Sequence, residues 1–162
     1  MKKIIIGLIV LMSASLFAQS TDTYLELLRS DLKTKKKAII AEAMELNELQ
    51  SEKFWPIYRE FEYEWDKLAD TRVGIIKEYA ENYEKLSDEK ADELVKESYK
   101  LDKDKLDVEM KYYKKVKDIL GAKQAGKFAQ LVNRFNMLIE IQIASEIPLI
   151  PVDSTNASSD KK

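Results

Sequence analysis

Between Leu46 and Leu68 the large side chains return every three or four residues, and this rhythm restricts the chain to helices more firmly than any other feature. Phe54, Tyr58, Phe61, Trp65 and Leu68 fall at spacings of four, three, four and three. That places five bulky groups on one stripe of an α-helix, flanked by Glu, Lys, Arg and Asp. Both tryptophans and two of the five phenylalanines lie in this stretch. The core is expected to be built on it.

A chain of 162 residues with 45% hydrophobic content suits one domain with a genuine core, and four Gly and three Pro leave little turn chemistry for many strands. The expected class is all-α, with about four long antiparallel helices. There are no histidines and no cysteines, which excludes disulfides, zinc-finger sites, thiol nucleophiles and His-based acid–base chemistry. P-loop, nucleophile-elbow and dinucleotide glycine motifs are missing. Carboxylates such as Glu60/Glu62/Glu64 and Asp102/Asp104 stand two residues apart, so on a helix they point apart and do not form chelates. The expectation is therefore no enzyme, no metal and no cofactor. The near balance of charge, −2 overall, also argues against a nucleic-acid partner.

Lys2 and Lys3 precede an apolar run from Ile4 to Phe17 that closes on Ala18-Gln19-Ser20. A basic start, an apolar centre too short for the ~20 residues of a membrane span and a small final residue have the form of a secretory signal peptide. Residues 1–18 are read as that signal, 19–150 as an all-helical domain and 151–162 as a polar, disordered tail. Export to the periplasm follows, as a soluble protein. Cleavage near Ala18 would remove two lysines from 27 basic residues against 29 acidic ones, giving a charge of −4 (27 − 2 − 29).

A first helix is expected over Asp22–Glu45, with Asp22 as N-cap and Tyr24, Leu25, Leu28, Leu32, Ile39, Ile40, Ala43 and Met44 on its apolar face. Lys33 and Lys35–Lys37 interrupt that face. A second helix runs from Glu48 to Leu86, with a kink at Pro56, which lacks an N–H and crowds the carbonyl of Glu52. Its stripe continues through Ile75 or Ile76, Tyr79 and Tyr83. Arg72 lies on that stripe and Gly74 beside it, which points to a thinner or more polar contact there.

Ser87 caps a third helix that reaches Leu120, with Asp88 and Glu89 favouring its dipole. Leu94, Leu101, Val108, Tyr112 and Ile119 make one stripe on it; Val95, Tyr99, Leu106, Tyr113 and Val116 make a neighbour. Two stripes give a face broad enough for two partner helices. Gly121 ends that helix. A fourth follows from Ala122 to Ser145, and its last part, LIEIQIASEI, is apolar on more than one side. That part is either sandwiched between helices or used at a subunit contact. Pro148 stops it and pushes Ile147 to extended geometry.

Two windows echo each other. LNELQSEKFWPIYREF from Leu46 and LGAKQAGKFAQLVNRF from Leu120 align without gaps at 120 − 46 = 74. They share Leu46/Leu120, Gln50/Gln124, Lys53/Lys127, Phe54/Phe128 and Phe61/Phe135, against about one identity expected by chance. With Asn47 and Gly121 as N-caps, Gln50 and Gln124 stand at N3. From there each amide is expected to reach back to the N-cap N–H, forming a capping box.

This pair of L-x-x-x-Q pentapeptides, on an exported helical chain of this length, resembles the repeated LTxxQ motif of the Spy/CpxP family of bacterial periplasmic proteins. Here Asn47 and Gly121 replace the threonine; both are competent caps. The resemblance implies a thin, curved homodimer that holds unfolded or aggregation-prone clients without ATP. Alternatively, it implies an envelope-stress or metal-responsive regulator bound to a membrane sensor protein; the basic run Lys33–Lys37 of this chain is then the contact to test. Client-contact candidates are aromatics off the main stripes: Trp55 and Tyr63 on the second helix, Tyr99 and Tyr113 on the third. Tyr63, which projects with Asp70 and Lys77, is the best of them, since aromatics at helical spacing usually pack.

Overall fold

The computed structural model describes residues 34–152. The signal segment, the cap at Asp22, Tyr24 to Lys33 and the tail beyond Val152 lie outside the described residues. The chain divides into two compact units between Glu45 and Leu46. In the first, α1 (34–44) buries Ile40 and Met44 completely. Glu45 then takes a left-handed backbone conformation with φ 49°.

The second unit is three long helices: α2 (Glu48–Asn82), α3 (Asp88–Leu120) and α4 (Ala122–Glu146). Asn47 starts α2 with the expected reciprocal cap. Its Oδ1 accepts from the Gln50 N–H at 2.9 Å, and Gln50 Oε1 accepts from the Asn47 N–H at 3.1 Å. The helix runs unbroken through Pro56. It stops at Asn82 rather than Leu86, and Tyr83–Lys85 tightens into a 3-10 turn. Two local bonds favour the tightening: the Tyr83 N–H donates to Ala80 O, and the Asn82 side chain donates to Glu78 O.

Ser87 caps α3, its Oγ accepting from the Lys90 N–H at 3.2 Å. Gly121 alone joins α3 to α4, at φ 83°, a region where glycine carries no Cβ penalty. Ile147 is extended at φ −95°, ψ 119°, and Pro148 follows. Lys115–Glu60, Lys111–Glu64 and Lys90–Glu78 pair α3 antiparallel to α2, while Asn136–Glu109 and Lys105–Glu140 pair α4 antiparallel to α3.

The second unit's core sits toward the Gly121 corner. Phe54, Tyr58 and Phe61 of α2, Tyr112 and Val116 of α3, and Ala125, Phe128 and Val132 of α4 are all buried there. No Cα of α2 comes within 8 Å of one in α4, and the gap is filled by rings. Phe128 lies 5.7 Å from Phe54 and 5.5 Å from Phe61, edge to face with both. The two phenylalanines of the sequence echo thus meet in space.

The echo fails at its polar end, which corrects the expected second capping box. The Gly121 N–H already donates to Lys117 O at 2.9 Å as the last bond of α3. One residue is both the end of one helix and the cap of the next, so Gln124 has no N–H to reach. Its Oε1 is buried without a partner. Replacing Gln50 by Ala should therefore cost about 1 kcal/mol, whereas Gln124→Met should be neutral or stabilising, since it removes a buried unpaired amide. Urea titration of the two variants checks the asymmetry, and equal losses would refute it.

Candidate functional site

In a chain that is 35% charged, α3 and α4 each carry a stripe with almost no charge. On α3, positions 95, 99, 102, 106, 110 and 113 are Val, Tyr, Asp, Leu, Met and Tyr. On α4, positions 126, 130, 133, 137, 141 and 144 are Gly, Gln, Asn, Met, Ile and Ala. Both follow the same four-three-four-four-three spacing, which keeps each set on one side of its helix for about 27 Å. Asp102 is the single charge among the twelve. The stripes meet in a groove between α3 and α4, where Asp102 and Leu106 face Asn133, Met137 and Ile141. No residue of α2 lines it.

Large apolar side chains stand open on this face: Tyr99 is 72% exposed, Leu106 60%, Met137 57% and Ile141 62%. Leu138, Leu149 and Val152 are exposed beside or beyond it. Of the two alternatives for the end of α4, burial between helices is therefore excluded among the described residues. On α3 the first stripe is the packed one, with Leu94, Leu101 and Tyr112 buried. In the second, Val95, Tyr99 and Leu106 are exposed, and Val116 is buried because it lies nearer the core face.

The four aromatic candidates divide. Tyr99 lies on the open face and Tyr113, half-buried, continues its stripe. Tyr63 is exposed on α2 with the Lys67 ammonium 4.2 Å from its ring centroid. Trp55 is half-buried, its ring packed on Phe54 at 5.2 Å and on Tyr58 at 5.4 Å. Trp55 thus belongs to the aromatic cluster, and Tyr63 and Tyr99 are not brought together. Leu46, Asn47, Gln50, Leu120, Gly121 and Gln124 all lie at helix junctions.

A polar cluster that includes Asp102, Lys105 and Glu140 of the groove lining ties the three helices together. Arg72 of α2 meets Glu140 of α4 at 2.5 Å, and Lys105 of α3 meets the same oxygen at 2.7 Å. Asp102 stands 3.3 Å from Lys105 and 3.9 Å from Arg72. This is the polar contact expected at Arg72. Burial pushes the Glu140 carboxyl up, but the hydrogen bonds from Lys105 and Arg72 outweigh it and hold the group below its ordinary range. Nearer the core, the Lys111 ammonium and the Tyr112 hydroxyl both donate to Glu64 Oε1, at 2.6 and 2.9 Å. Lys111 is the main cause of that carboxyl's lowered pKa.

Among the described residues no group of three Asp or Glu side chains is placed to hold a metal ion, and no helix is long and apolar enough to cross a membrane. Chemically, the exposed Tyr99, Leu106, Met137 and Ile141 of this face can take up apolar side chains. No family model, curated protein or solved structure matches this chain.

Proposed function

We propose that the chain is an exported, periplasmic, ATP-independent chaperone of the Spy/CpxP kind, holding unfolded or aggregation-prone proteins on the open face of α3 and α4. The observation that carries this reading is the pair of low-charge stripes with Tyr99, Leu106, Met137 and Ile141 turned to water. A contiguous apolar surface of this sort marks an interaction site more often than isolated exposed residues do. Two features suit a holding surface rather than a lock for one ligand. It is long and shallow, and its methionines adapt to many shapes. The thin, curved homodimer that the family resemblance implies and the bend expected of Pro56 belong to the same proposal; light scattering on the mature protein tests the former. Nothing favours the sensor-binding alternative, since Lys35, Lys36 and Lys37 are each engaged in an interaction within the chain.

The mature protein should slow aggregation of a chemically denatured test protein at near-stoichiometric ratios without nucleotide. The Leu106→Ser/Met137→Ser/Ile141→Ser variant should lose most of that effect. It should keep its melting transition, because surface changes of this type cost within about 0.5 kcal/mol each. Absence of suppression by the unaltered protein would overturn the proposal.

A further inference from the structure

With no cysteine in the chain, its five methionine thioethers are its only sulfur. Met1 and Met12 fall in the segment read as a signal, which leaves Met44, Met110 and Met137. Met44 of α1 is buried completely, whereas Met110 is 48% and Met137 57% exposed. Both exposed methionines stand on the α3–α4 face, and the fold brings them to neighbouring levels. The residues just before them, Glu109 and Asn136, are hydrogen-bonded across the two antiparallel helices at 2.7 Å. Met110 is one turn beyond Leu106 on its stripe, and Met137 lines the groove together with Leu106 and Ile141. Those three are the apolar part of that lining; the other six lining residues are polar or charged. A change of polarity at Met137 therefore removes one of three apolar groups, and Met110 stands close to the same place.

From this placement we infer that Met110 and Met137 form an oxidation site, at which an oxidant of the peroxide class turns the open face from apolar to polar. The thioether sulfur attacks one peroxide oxygen; the S–O bond forms as the O–O bond breaks. Sulfur loses two electrons, and the departing hydroxide takes the proton of the transferred oxygen and leaves as water. The product, methionine sulfoxide, is polar and chiral where the thioether was apolar and adaptable. Exposure decides which sulfurs react, so Met44 is spared. Because the two reacting side chains lie outside the core, the helices stay packed and only the surface changes character. The change is reversible, since sulfoxide reductases reach exposed sulfoxides and return them to thioethers at the expense of two thiols. The consequence for client proteins rests on the holding role proposed above; the modification itself does not.

The test exposes the mature protein to hydrogen peroxide, stops the reaction with catalase and maps the product by peptide mass spectrometry. Two oxygen atoms should be gained, one each at Met110 and Met137, before any appears at Met44. Fluorescence of a bound apolar dye should fall by about half, and about threefold more protein should be needed to suppress aggregation of a denatured test protein. Circular dichroism should stay unchanged, and a pair of sulfoxide reductases, one for each epimer, should restore both readouts. Met110→Leu/Met137→Leu keeps the volume and apolarity and should make dye binding and suppression indifferent to peroxide. Met110→Gln/Met137→Gln should reproduce the oxidised protein with no peroxide added. Oxidation of Met44 at an equal rate, unchanged dye binding after both sulfurs react, unfolding on oxidation, or an equal peroxide effect in the leucine variant would each overturn the inference. Should the untreated protein fail to suppress aggregation, the holding role falls, while mass mapping and dye binding still decide the oxidation site.

Discussion

Replacing Phe128 by Ala should cost about 4 kcal/mol, within the ~3–5 kcal/mol typical of a buried Phe→Ala change. A domain of this size has only about 5–15 kcal/mol in total, so much of its stability would go. Phe128 is 2% exposed and is the ring on which α2 and α4 meet. It touches Phe54, Tyr58 and Phe61 of α2, with centroids 5.7, 6.4 and 5.5 Å away. The backbones of the two helices stay apart, so little collapse can fill the space its loss would leave. Edge-to-face pairs add about 0.5–1.5 kcal/mol each beyond burial. Urea unfolding should show a lower midpoint with an unchanged slope. Phe128→Leu, which keeps most of the volume, should recover roughly half of the loss. A loss under about 1 kcal/mol for the alanine variant would mean that the two helices are not joined through this side chain.

Why that ring matters shows where reading the sequence stops. Helix positions were legible because their signals are local. Ser87, Gly121 and the Ile147-Pro148 stop sit where α3 begins, where α3 meets α4 and where α4 ends. The buried stripe Phe54, Tyr58, Phe61 was legible from its spacing, and the first box at Asn47 from three residues. What is not local was not legible. Two apolar stripes on α3 look alike in sequence, and only packing against α2 and α4 decides that Leu94 and Leu101 go inside while Tyr99 and Leu106 stay out. Gln124 matched its pattern as well as Gln50 did. Its failure comes from the single-residue corner, where one N–H serves two helices and is already taken. Arg72 was legible as an oddity on an apolar stripe, but its partner Glu140 lies 68 residues on, with nothing in either local pattern to join them.

That pair sets the second large effect. Arg72 and Lys105 have side chains only 18% and 14% exposed, and both lean on Glu140, whose side chain is 46% exposed. Glu140→Ala leaves two half-buried cations with Asp102 as their remaining carboxylate. Stripping one partner from a fully buried pair costs about 3–5 kcal/mol. Here water reaches the carboxylate and Asp102 takes over part of its role, so about 1–2 kcal/mol is expected. The loss should be local, because the second half of α4 has no buried ring to hold it; its buried residues, Ala125, Phe128 and Val132, all precede Asn133. Amide exchange from Met137 to Glu146 should quicken more than exchange from Ala125 to Val132.

Acid should act in the same direction. The folded-state pKa of Glu140 lies below its ordinary 4.5, so its stabilisation is fully present above that value and disappears as pH falls through the depressed one. Glu64 has the same sign through Lys111, at the core end of the helices, so melting alone would blend the two. Segment-resolved exchange separates them: from pH 6 down to about pH 3, α4 beyond Asn136 should loosen in the unaltered protein. In Glu140→Gln that part of the pH dependence should be gone. Loosening would free Ile143, half-buried in the folded chain, as further apolar surface beside the already exposed Ile139, so Glu140→Ala should hold aggregating proteins at least as well as the unaltered chain despite its lower stability. If it holds them worse, the second half of α4 must be docked on α3 for the surface to work, and the surface is then a built groove rather than a set of exposed side chains.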